Sequence, residues 1–432
     1  MRVPQASLIA IGDELVSARR PEVNGQAIVP WLEALGCEVR ARLLVPDRVD
    51  AIEAAVTAAL AGGAELVVLS GGLGPTHDDV ARQGIAAALR RPLILDEAVQ
   101  ASIESRFRER DLEVPPEVSR LALRPEGSEL VPNPVGMAPG FVVRQGGATI
   151  IALPGVPREF ETMFERKLLP ELRRSLVGAL ARRSETLHVV GLTEAEVDQH
   201  VANAVETGPR LSVSFVSQRS EVEVLVTARA ETEAEAARAL ERANARLEEA
   251  LGDVVYGRGD DTLVGVVGRL LGSRGWTLAT AESLSGGLLA KRITDQAGSS
   301  RFFRGGVAAY HDDLKRSLLD VPADVLEHCG AVSGETARAM ATGARRRMNA
   351  PVAVSTTGIA GPTGGSIDRP VGLVYLAVAW PAGLRVLRFL FPGNRNEIRS
   401  ATSAAALDET RRALSGLPPL GVAVEERCGD AG

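Results

Sequence analysis

The chain has 432 residues, roughly three times a typical domain, so two or three domains are expected rather than one continuous core. Its composition, 45% hydrophobic and 24% charged, is that of a folded globular protein and excludes disordered, collagen-like and membrane-embedded classes. Lysine and arginine number 49 against 55 acidic residues, which gives a net charge of −6. That balance argues against nucleic acid or an anionic membrane as a partner.

The cysteines and histidines narrow the chemistry further. Cys37, Cys329 and Cys428 lie far apart and form no C-x-x-C, so we expect neither a disulfide framework nor a structural zinc site. The five histidines form no H-x-x-x-H pair, so catalytic zinc is not expected either. Acidic Asp13 and Glu14 come too early for a signal peptide, and no apolar run reaches ~18 residues. The sequence therefore predicts a cytoplasmic protein.

Residues 1–170 alternate strand and helix patterns. Strands are predicted at 6–11, 39–45 and 66–69, and helices at 28–35, 49–60 and 79–89. The third strand is fully apolar, as expected in a parallel sheet that is covered on both faces. This order predicts an α/β domain with a doubly wound sheet, in which ligands bind at the carboxyl ends of the strands.

The rest of the chain divides into a small α+β module, 171–257, and a second α/β domain, 258–417. In the module, strands are predicted at 187–190, 211–216 and 222–228, and a helix at 232–251. In the second domain, strands are predicted at 277–281, 307–310 and 352–356, a hairpin at 371–378 and 384–391, and helices at 263–271, 287–293, 333–347 and from 397. The module shows no polar constellation, which favours a spacer or packing role. The Pro- and Gly-rich residues 418–432 are predicted to be disordered.

A glycine-rich loop follows the third strand of the first domain. It contains Gly71, Gly72, Gly74 and Thr76, and the acidic pair Asp78 and Asp79 comes next. Such a loop lets backbone N–H groups approach an anion, and adjacent carboxylates can hold a divalent cation that bridges phosphate oxygens. The spacing equally allows a tight turn whose aspartates cap the following helix. Two further turn-rich segments, 133–140 and 153–159, are expected to converge on the same edge of the sheet.

These segments, together with residues 12–15, resemble the N-terminal domain of the CinA (competence/damage-inducible) family, which is similar to molybdopterin-binding folds. The resemblance implies an ADP-ribose pyrophosphatase that needs a divalent metal of unspecified identity, with or without a monovalent cation. It implies metal ligands at Asp78, Asp79 and Glu159. The nucleotide and its phosphates would then meet Gly71, Gly72, Gly74, Thr76, Glu14 and Asn24.

Four positions depart from that family pattern. Ala18, Glu22, Val23 and Ala81 stand where the family usually has glycine, aspartate, threonine and threonine. Loss of a glycine restricts the backbone beside the site. These departures favour an alternative in which the domain binds a nucleotide or a pterin without hydrolysing it.

In the second α/β domain, Ser283 and Ser285 stand where a strand meets a helix. A hydroxyl there lies over backbone N–H groups that can stabilise an oxyanion. The segment is not a G-x-S-x-G elbow, so a serine nucleophile needs another base. Lys315, five residues beyond Tyr310, is a candidate because a partly desolvated lysine can lose its proton. The bland alternative is that both serines are helix caps.

Hydroxyls and glycines also fill the loop 355–365, after another apolar strand. Their chemistry predicts a phosphate or ribose cradle, although a surface loop is equally compatible. Arg395 and Arg399, at the start of the last helix, either supply charge to a phosphate or are simply solvated.

These motifs, with 305–307, 370–372 and 391–393, resemble the CinA C-terminal domain, so the resemblance covers nearly the whole chain and makes the linker module KH-like. It implies a nicotinamide mononucleotide amidohydrolase that releases nicotinate mononucleotide and ammonia without a cofactor, in a protein that is a homodimer. Ser283 would be the nucleophile and Lys315 the base, with Tyr310 relaying a proton or stacking on the pyridinium ring. The substrate would meet Ser285, Gly286, Gly287, Thr356, Thr357, Gly358, Gly361, Arg395 and Arg399, with the Gly286 and Gly287 amides holding the oxyanion.

Milder departures occur in this half of the chain. Ser285 replaces a threonine, Asn394 replaces an aspartate, and 311–313 replaces a serine–asparagine segment. A DNA-binding role, suggested only by the family's name, is opposed by the net charge of −6 and by the lack of a basic or aromatic stripe.

Overall fold

The computed structural model describes residues 3–109, 111–175, 180–218 and 220–424. The chain divides into two compact units, Met1–Arg183 with Arg229–Ala239, and Ser184–Ala228 with Leu240–Gly432. Within the described residues no helix is both long and apolar enough to cross a membrane. The predicted α/β class is confirmed by mixed sheets covered by helices.

The N-terminal sheet has six strands in the order β2-β1-β3-β8-β7-β6, and β4 and β5 form a separate antiparallel pair. The strands are β1 (Gln5–Ile11), β2 (Glu38–Val45), β3 (Leu66–Ser70), β4 (Leu93–Leu95), β5 (Leu123–Pro125), β6 (Glu129–Val131), β7 (Gly140–Gln145) and β8 (Ala148–Leu153). β2, β1, β3 and β8 run parallel, whereas β7 and β6 add antiparallel strands at one edge.

Helices cover both faces of this sheet. They are α1 (Asp13–Val16), α2 (Asn24–Ala34), α3 (Val49–Ala61), α4 (Ala81–Leu89), α5 (Glu97–Arg108), α6 (Pro157–Met163) and α7 (Leu169–Ser175). Successive strand residues enter opposite cores, since Val67 packs on one face of β3 and Val68 on the other. The apolar run of β3 is therefore buried on both sides, as a doubly wound sheet requires.

The middle sheet has four strands in the order β10-β11-β9-β12. Its elements are β9 (Ala181–Val190), α8 (Glu194–Ala204), β10 (Leu211–Gln218), β11 (Glu221–Ala230), α9 (Glu233–Leu251) and β12 (Val255–Arg258). The sequence analysis predicts only three of these strands. β12 lacks an apolar alternation of its own and is stabilised by antiparallel pairing with β9, which is distant in sequence.

The C-terminal sheet has six strands in the order β14-β13-β15-β16-β17-β18, of which β14, β13 and β15 are parallel. The strands are β13 (Leu278–Glu282), β14 (Phe303–Ala308), β15 (Val352–Gly358), β16 (Leu373–Trp380), β17 (Gly383–Leu390) and β18 (Val422–Ala423). The helices are α10 (Leu263–Gly272), α11 (Leu288–Thr294), α12 (Asp312–Leu319), α13 (Ala323–His328), α14 (Gly334–Arg347) and α15 (Arg395–Ser415).

Two sequence predictions in this half are corrected. The strand predicted at 307–310 ends at Ala308, so Tyr310 lies in the turn before α12. Residues 418–424 are ordered rather than disordered, because β18 pairs with β17 and Glu409 Oε1 accepts the amides of Leu420 and Gly421 at 2.8 and 3.1 Å. The remainder of the predicted tail lies outside the described residues.

The cysteines also differ from expectation. Burial, with the nearby charge of Glu65, raises the pKa of the free Cys37 thiol to about 11. Cys329 is disulfide-bonded, a pairing that the argument against a disulfide framework did not anticipate. Cysteine spacing along the chain carries no information about residues that folding brings together. Cys428 lies outside the described residues.

Close packing of α12 against α14 depends on Gly343. A Cβ added there would fall 1.8 Å from the carbonyl oxygen of Leu319, the last residue of α12. Gly343→Ala is expected to lower the free energy of unfolding by about 1–3 kcal/mol because the helices must separate. The matched control is Gly272→Ala, where an added Cβ has no heavy atom within 4 Å. Guanidinium unfolding followed by circular dichroism would contradict this packing if both variants unfolded at one midpoint.

Candidate active sites

A cavity of about 690 Å³ opens at the carboxyl ends of β1, β3 and β8. The loop after β3 lines it together with 137–138 and 154–157, so the three turn-rich segments converge as the sequence predicts. The predicted residues that line it are Glu14, Gly71, Gly72, Gly74, Asp78, Asp79 and Glu159.

The glycines after β3 allow neighbouring loops to touch. Gly71 has φ of 106°, and a Cβ added there would lie 2.3 Å from the Ile11 carbonyl oxygen. A Cβ on Gly155 would lie 3.2 Å from the Gly71 Cα. Gly71 is therefore required by its backbone conformation and packing, whatever ligand the loop holds, and Gly155 lets the loop after β8 approach it closely.

The three predicted metal-binding carboxylates all accept hydrogen bonds from nearby residues. Asp79 Oδ2 accepts the Thr76 amide at 2.9 Å and the Thr76 hydroxyl, so it closes the preceding turn rather than capping α4. Hydrogen bonding from Thr76 holds the pKa of Asp78 below its usual range. Glu159 accepts from Asn133 Nδ2 at 2.6 Å. Thr76 thus acts through these aspartates and is not among the residues that line the cavity.

Asp47, two residues beyond the end of β2, is a cavity residue that the sequence analysis did not select. Its Oδ2 accepts the Asp13 amide at 2.9 Å. Burial raises the pKa of Asp47, and the negative charges of Asp13, Glu14 and Asp78 raise it further, against the lowering effect of that hydrogen bond. Its position at a strand end in the predicted sheet is the signal that could have found it.

A buried guanidinium holds the glycine loop through a hydrogen bond to its backbone. Arg82, on α4, is 2% exposed, and its Nη1 donates to the Leu73 carbonyl at 2.9 Å. Burial lowers the pKa of Arg82 to about 10, while Asp79 acts in the opposite direction. Nothing in the local sequence distinguishes this arginine from a solvated one.

The donor chemistry suits a hard cation shared with a ligand. Within the described residues, no group of three His, Cys, Asp or Glu side chains is arranged to hold a metal ion. Mg²⁺, however, is usually bound by one or two carboxylates together with water and substrate phosphates. Asp78, Asp79 and Glu159 on the wall of one cavity fit that shared mode and not a protein-only cage.

Asn24 does not line this cavity, contrary to the sequence prediction. It is buried, and its Nδ2 donates to the Ser70 hydroxyl at 2.6 Å and to the Gly155 carbonyl at 2.9 Å. Its role is to tie the end of β3 to the loop after β8.

The C-terminal site is positioned by the register of three parallel strands. Glu282, the last residue of β13, pairs with Ala308 of β14 and with Thr356 of β15. The three strands therefore end on the same side of the sheet, at their carboxyl ends. The chain leaves the sheet there before Ser283, before Tyr310 and after Gly358. This edge collects the predicted residues of the second site.

The two serines have different environments. Ser283 is 9% exposed and its amide donates to the Thr356 carbonyl at 2.9 Å. Ser285 is 0% exposed, and its hydroxyl shares a 2.7 Å hydrogen bond with the Thr356 hydroxyl. Only Ser283 retains a surface that a substrate can reach, so Ser285 supports the site instead of binding the ligand.

The oxyanion prediction is corrected at Gly286. Its amide donates to the Ser283 carbonyl at 3.1 Å and is not available to an oxyanion in this conformation. The buried Glu282 carboxylate accepts the Leu289 and Ala290 amides at 3.1 and 2.8 Å, so it occupies the first turn of α11. Gly287 is then the remaining predicted donor. Glu282 was missed because an acid that ends a buried strand has no pattern of its own.

Lys315 is buried beside the turn that carries Tyr310. It is 1% exposed, and its Nζ donates to the Tyr310 carbonyl at 3.0 Å and to Asp312 Oδ1 at 3.1 Å. Among the described residues, no hydrogen bond joins Lys315 to the Ser283 hydroxyl. Catalytic hydrogen bonds often form only when substrate binds, so the missing hydrogen bond does not contradict the predicted role.

Arg395 connects two predicted parts of the site. Its Nη2 donates to the Tyr310 hydroxyl at 3.1 Å and its Nη1 to the Gly361 carbonyl at 2.8 Å. Tyr310 is 61% exposed, so its ring is accessible. Arg399 instead donates to the Ser285 carbonyl, with Nη2 at 2.7 Å.

The threonine hydroxyls are not available as a ribose cradle. The Thr356 hydroxyl is used by Ser285, and the Thr357 hydroxyl donates to the Ala331 carbonyl at 2.5 Å. Both side chains are at most 1% exposed. Gly358 packs on β16, since an added Cβ would lie 2.5 Å from the Leu373 carbonyl oxygen. The exposed part of this loop is 362–369.

Three family models match successive parts of the chain. The probable molybdopterin binding domain matches residues 7–174, the damage-inducible protein CinA KH domain matches 184–257, and the CinA C-terminal domain matches 260–414. A CinA-like protein of Geobacter sulfurreducens is 40% identical over 406 residues, which cover 94% of this chain and 98% of the relative. The chain belongs to the CinA family.

A second relative agrees with this assignment, and several solved structures are similar to parts of the chain. A CinA-like protein of Solibacter usitatus is 37% identical over 411 residues, covering 95% of this chain and 98% of the relative. Among solved structures, the protein CinA with unknown function from Thermoplasma acidophilum covers 40% of this chain and 99% of its own, with 34% identity and a TM-score of 0.37. The competence/damage inducible protein CihA from Agrobacterium tumefaciens covers 36% and 97%, with 41% identity and a TM-score of 0.33.

The residues that depart from the CinA pattern have definite structural consequences. Ala18 has φ of 53°, the left-handed conformation that glycine adopts without strain. Glu22 accepts the Gly25 amide and pairs with Arg42, both at 2.6 Å. Asn394 accepts the amides of Asn396 and Glu397, so it still caps α15 in place of the family's aspartate. Glu22 and Asn394 therefore stabilise the local structure, whereas Ala18 holds a conformation that is strained for a non-glycine residue.

Val23 and Ala81 stand at the two other departures in the N-terminal domain, where the family usually has threonine. Val23 precedes α2 and is 41% exposed, whereas Ala81 is fully buried at the start of α4. Neither residue can supply the hydroxyl that a threonine would bring.

Removal of the Glu282 carboxylate should loosen the start of α11. Glu282→Ala leaves the Leu289 and Ala290 amides unpaired and is expected to lower the free energy of unfolding by about 1–3 kcal/mol. Glu282→Gln keeps one acceptor oxygen and should lose less. Exposed Glu327→Gln is the control and should change stability by at most ~0.5 kcal/mol. Denaturant unfolding and hydrogen exchange measure both effects, and unchanged exchange at Leu289 in Glu282→Ala would contradict the assignment.

Proposed function

We propose that the C-terminal domain hydrolyses the carboxamide of nicotinamide mononucleotide to nicotinate mononucleotide and ammonia. The proposal rests on one observation, which is that three features lie together at the carboxyl end of β13 and β14. They are Ser283, Tyr310 with Lys315 beside it, and the contact between Arg395 and Gly361. Family membership supports it, because the motifs around these residues are those of the CinA C-terminal domain.

In the proposed reaction, Ser283 Oγ attacks the carboxamide carbon. A base takes the hydroxyl proton, the C–N bond breaks, and the nitrogen leaves as ammonia after it receives that proton. Water then attacks the acyl-enzyme, the C–O bond to Ser283 breaks, and nicotinate mononucleotide is released. The Gly287 amide is the donor proposed for the oxyanion.

Lys315 is the proposed base, and it can accept the serine proton only as the neutral amine, which still has two N–H donors for the Tyr310 carbonyl and Asp312. Tyr310 has two candidate roles. Its hydroxyl, held by Arg395, can relay a proton, or its exposed ring can stack on the pyridinium. Arg395 is exposed and is the residue best placed to meet the ribose phosphate, because Arg399 is used by Ser285.

We further propose that the N-terminal domain is a divalent-metal-dependent ADP-ribose pyrophosphatase. Asp78, Asp79 and Glu159 would hold the metal, which neutralises phosphate charge when bound. The glycine loop after β3 would bring its amides to the pyrophosphate. Attack of water on one phosphorus breaks the P–O–P bridge and gives AMP and ribose 5-phosphate. The protein is expected to act as a cytoplasmic homodimer.

A second candidate for this domain is binding of a nucleotide or pterin without hydrolysis. The left-handed Ala18 favours it, because the chain there has lost the glycine that suits this conformation. Calorimetry with ADP-ribose and Mg²⁺, followed by product analysis, separates the candidates. Binding without AMP formation supports the binder, and AMP formation supports the pyrophosphatase.

The two activities should separate by mutation. Ser283→Ala is expected to lower ammonia release from nicotinamide mononucleotide by at least ~10³-fold while ADP-ribose hydrolysis persists. Asp79→Asn, which keeps an acceptor for Thr76, should do the reverse. Ser285→Ala is the matched hydroxyl control and should retain most deamidation. Product assays on both substrates test this, and unchanged ammonia release by Ser283→Ala would disprove the nucleophile.

Two substitutions distinguish the roles of Tyr310. If the ring stacks on the pyridinium, Tyr310→Phe should behave like the wild type and Tyr310→Leu should raise KM by about tenfold, because a cation–π contact contributes ~1–2 kcal/mol. If the hydroxyl relays a proton, Tyr310→Phe should lower kcat with little change in KM. Steady-state kinetics of ammonia release decide between these outcomes.

A further inference from the structure

A second cavity, of about 480 Å³, lies in the unit formed by Ser184–Ala228 and Leu240–Gly432. One wall comes from the β9–α8 connection and β11, and the other comes from the end of β17, from α15 as far as Glu409, and from Leu420. Its volume lies within the range of roughly 300–1,000 Å³ that is usual for small-molecule sites. None of the residues assigned above to the amidohydrolase site lines it.

The polar feature of this cavity is Glu409, on α15. The residue lines the cavity and is 1% exposed. Its Oε1 accepts the amides of Leu420 and Gly421, but its Oε2 is buried and has no hydrogen-bond partner among the described residues. Burial raises the pKa of Glu409, as expected for a carboxylate without a full set of donors. A buried acceptor in this state costs free energy until a donor reaches it.

The neighbouring arginines cannot supply that donor. Arg411 Nε and Arg412 Nε each donate to one oxygen of Asp408, both at 2.7 Å. Arg412 also pairs with Asp253 at 3.0 Å. The guanidinium groups nearest in sequence are therefore used elsewhere, and within the described residues Glu409 Oε2 is left without a donor.

The residues that line the cavity favour a ligand that combines a positive charge with an apolar body. Every charged residue that lines it within the described chain is acidic: Glu194, Glu196, Glu397, Asp408 and Glu409. The rest is largely apolar, and Phe389 and Phe391 stack with centroids 5.2 Å apart. Aromatic faces attract organic cations, and an alkylammonium offers the N–H donor that the carboxylate lacks.

We propose that this cavity binds a small organic cation, whose ammonium donates to Glu409 Oε2 and whose apolar body packs against Phe389, Phe391 and Ala405. The site is separate from both proposed catalytic sites and does not depend on either activity.

The test uses the full-length protein and three probes of similar shape. Calorimetric titration with phenethylammonium, 2-phenylethanol and 3-phenylpropionate should show that the ammonium binds at least tenfold more tightly than the alcohol or the carboxylate. Glu409→Gln should weaken ammonium binding at least tenfold. Glu194→Gln, which removes an equal charge from the exposed rim, is the control and should change binding by less than threefold.

A second variant keeps the proposal falsifiable if Glu409→Gln does not fold. Ala405→Leu fills the cavity from α15 and should weaken ammonium binding at least tenfold with an unchanged circular dichroism spectrum. Equal binding of the ammonium and the alcohol, no effect of Ala405→Leu, or no binding of any probe would each overturn the proposal.

Discussion

The register of β13 between β14 and β15 is the constraint on which the C-terminal site depends. Backbone pairing of Glu282 with Ala308 and Thr356 makes β13 and β14 end at one level, and β15 runs two residues further to Gly358. Because side chains alternate along a strand, a shift of one residue would turn the neighbouring side chains to the other face of the sheet. The edge that carries Ser283 and Tyr310 is thus a result of main-chain hydrogen bonding, and the polar side chains depend on it.

Many residues that look like ligands in the sequence support that edge instead. Thr356, Thr357 and Ser285 use their hydroxyls within the protein, and Glu282 satisfies the start of α11. Buried polar groups must be paired, so the hydroxyls of a loop next to a core form hydrogen bonds with other protein groups and are then not available to a ligand. Tyr310 and Arg395 remain exposed, and for that reason they are the residues proposed to contact the substrate.

In the N-terminal domain too, residues that look like ligands in the sequence serve the packing of the protein, and here they are glycines. Gly71 and Gly155 allow loops from β3 and β8 to touch, while Asn24 fastens those loops together. The carboxylates that face the cavity, including Asp47, are placed by that packing and not by local sequence. At Ala18 the chain keeps the left-handed turn without the glycine that would relieve it.

The sequence by itself determined the α/β class, the parallel strands and the family, because apolar periodicity and ordered glycine motifs are local signals. It also located most residues that line the first cavity. Only the tertiary structure decided which of them are free to act. The partners of Gly286, Thr356 and Asn24, the ordered segment 418–424 and the unpaired Glu409 oxygen all depend on residues far away in sequence. Hydrogen-bond partners across a fold leave no local pattern, and that is why sequence reasoning could not assign them.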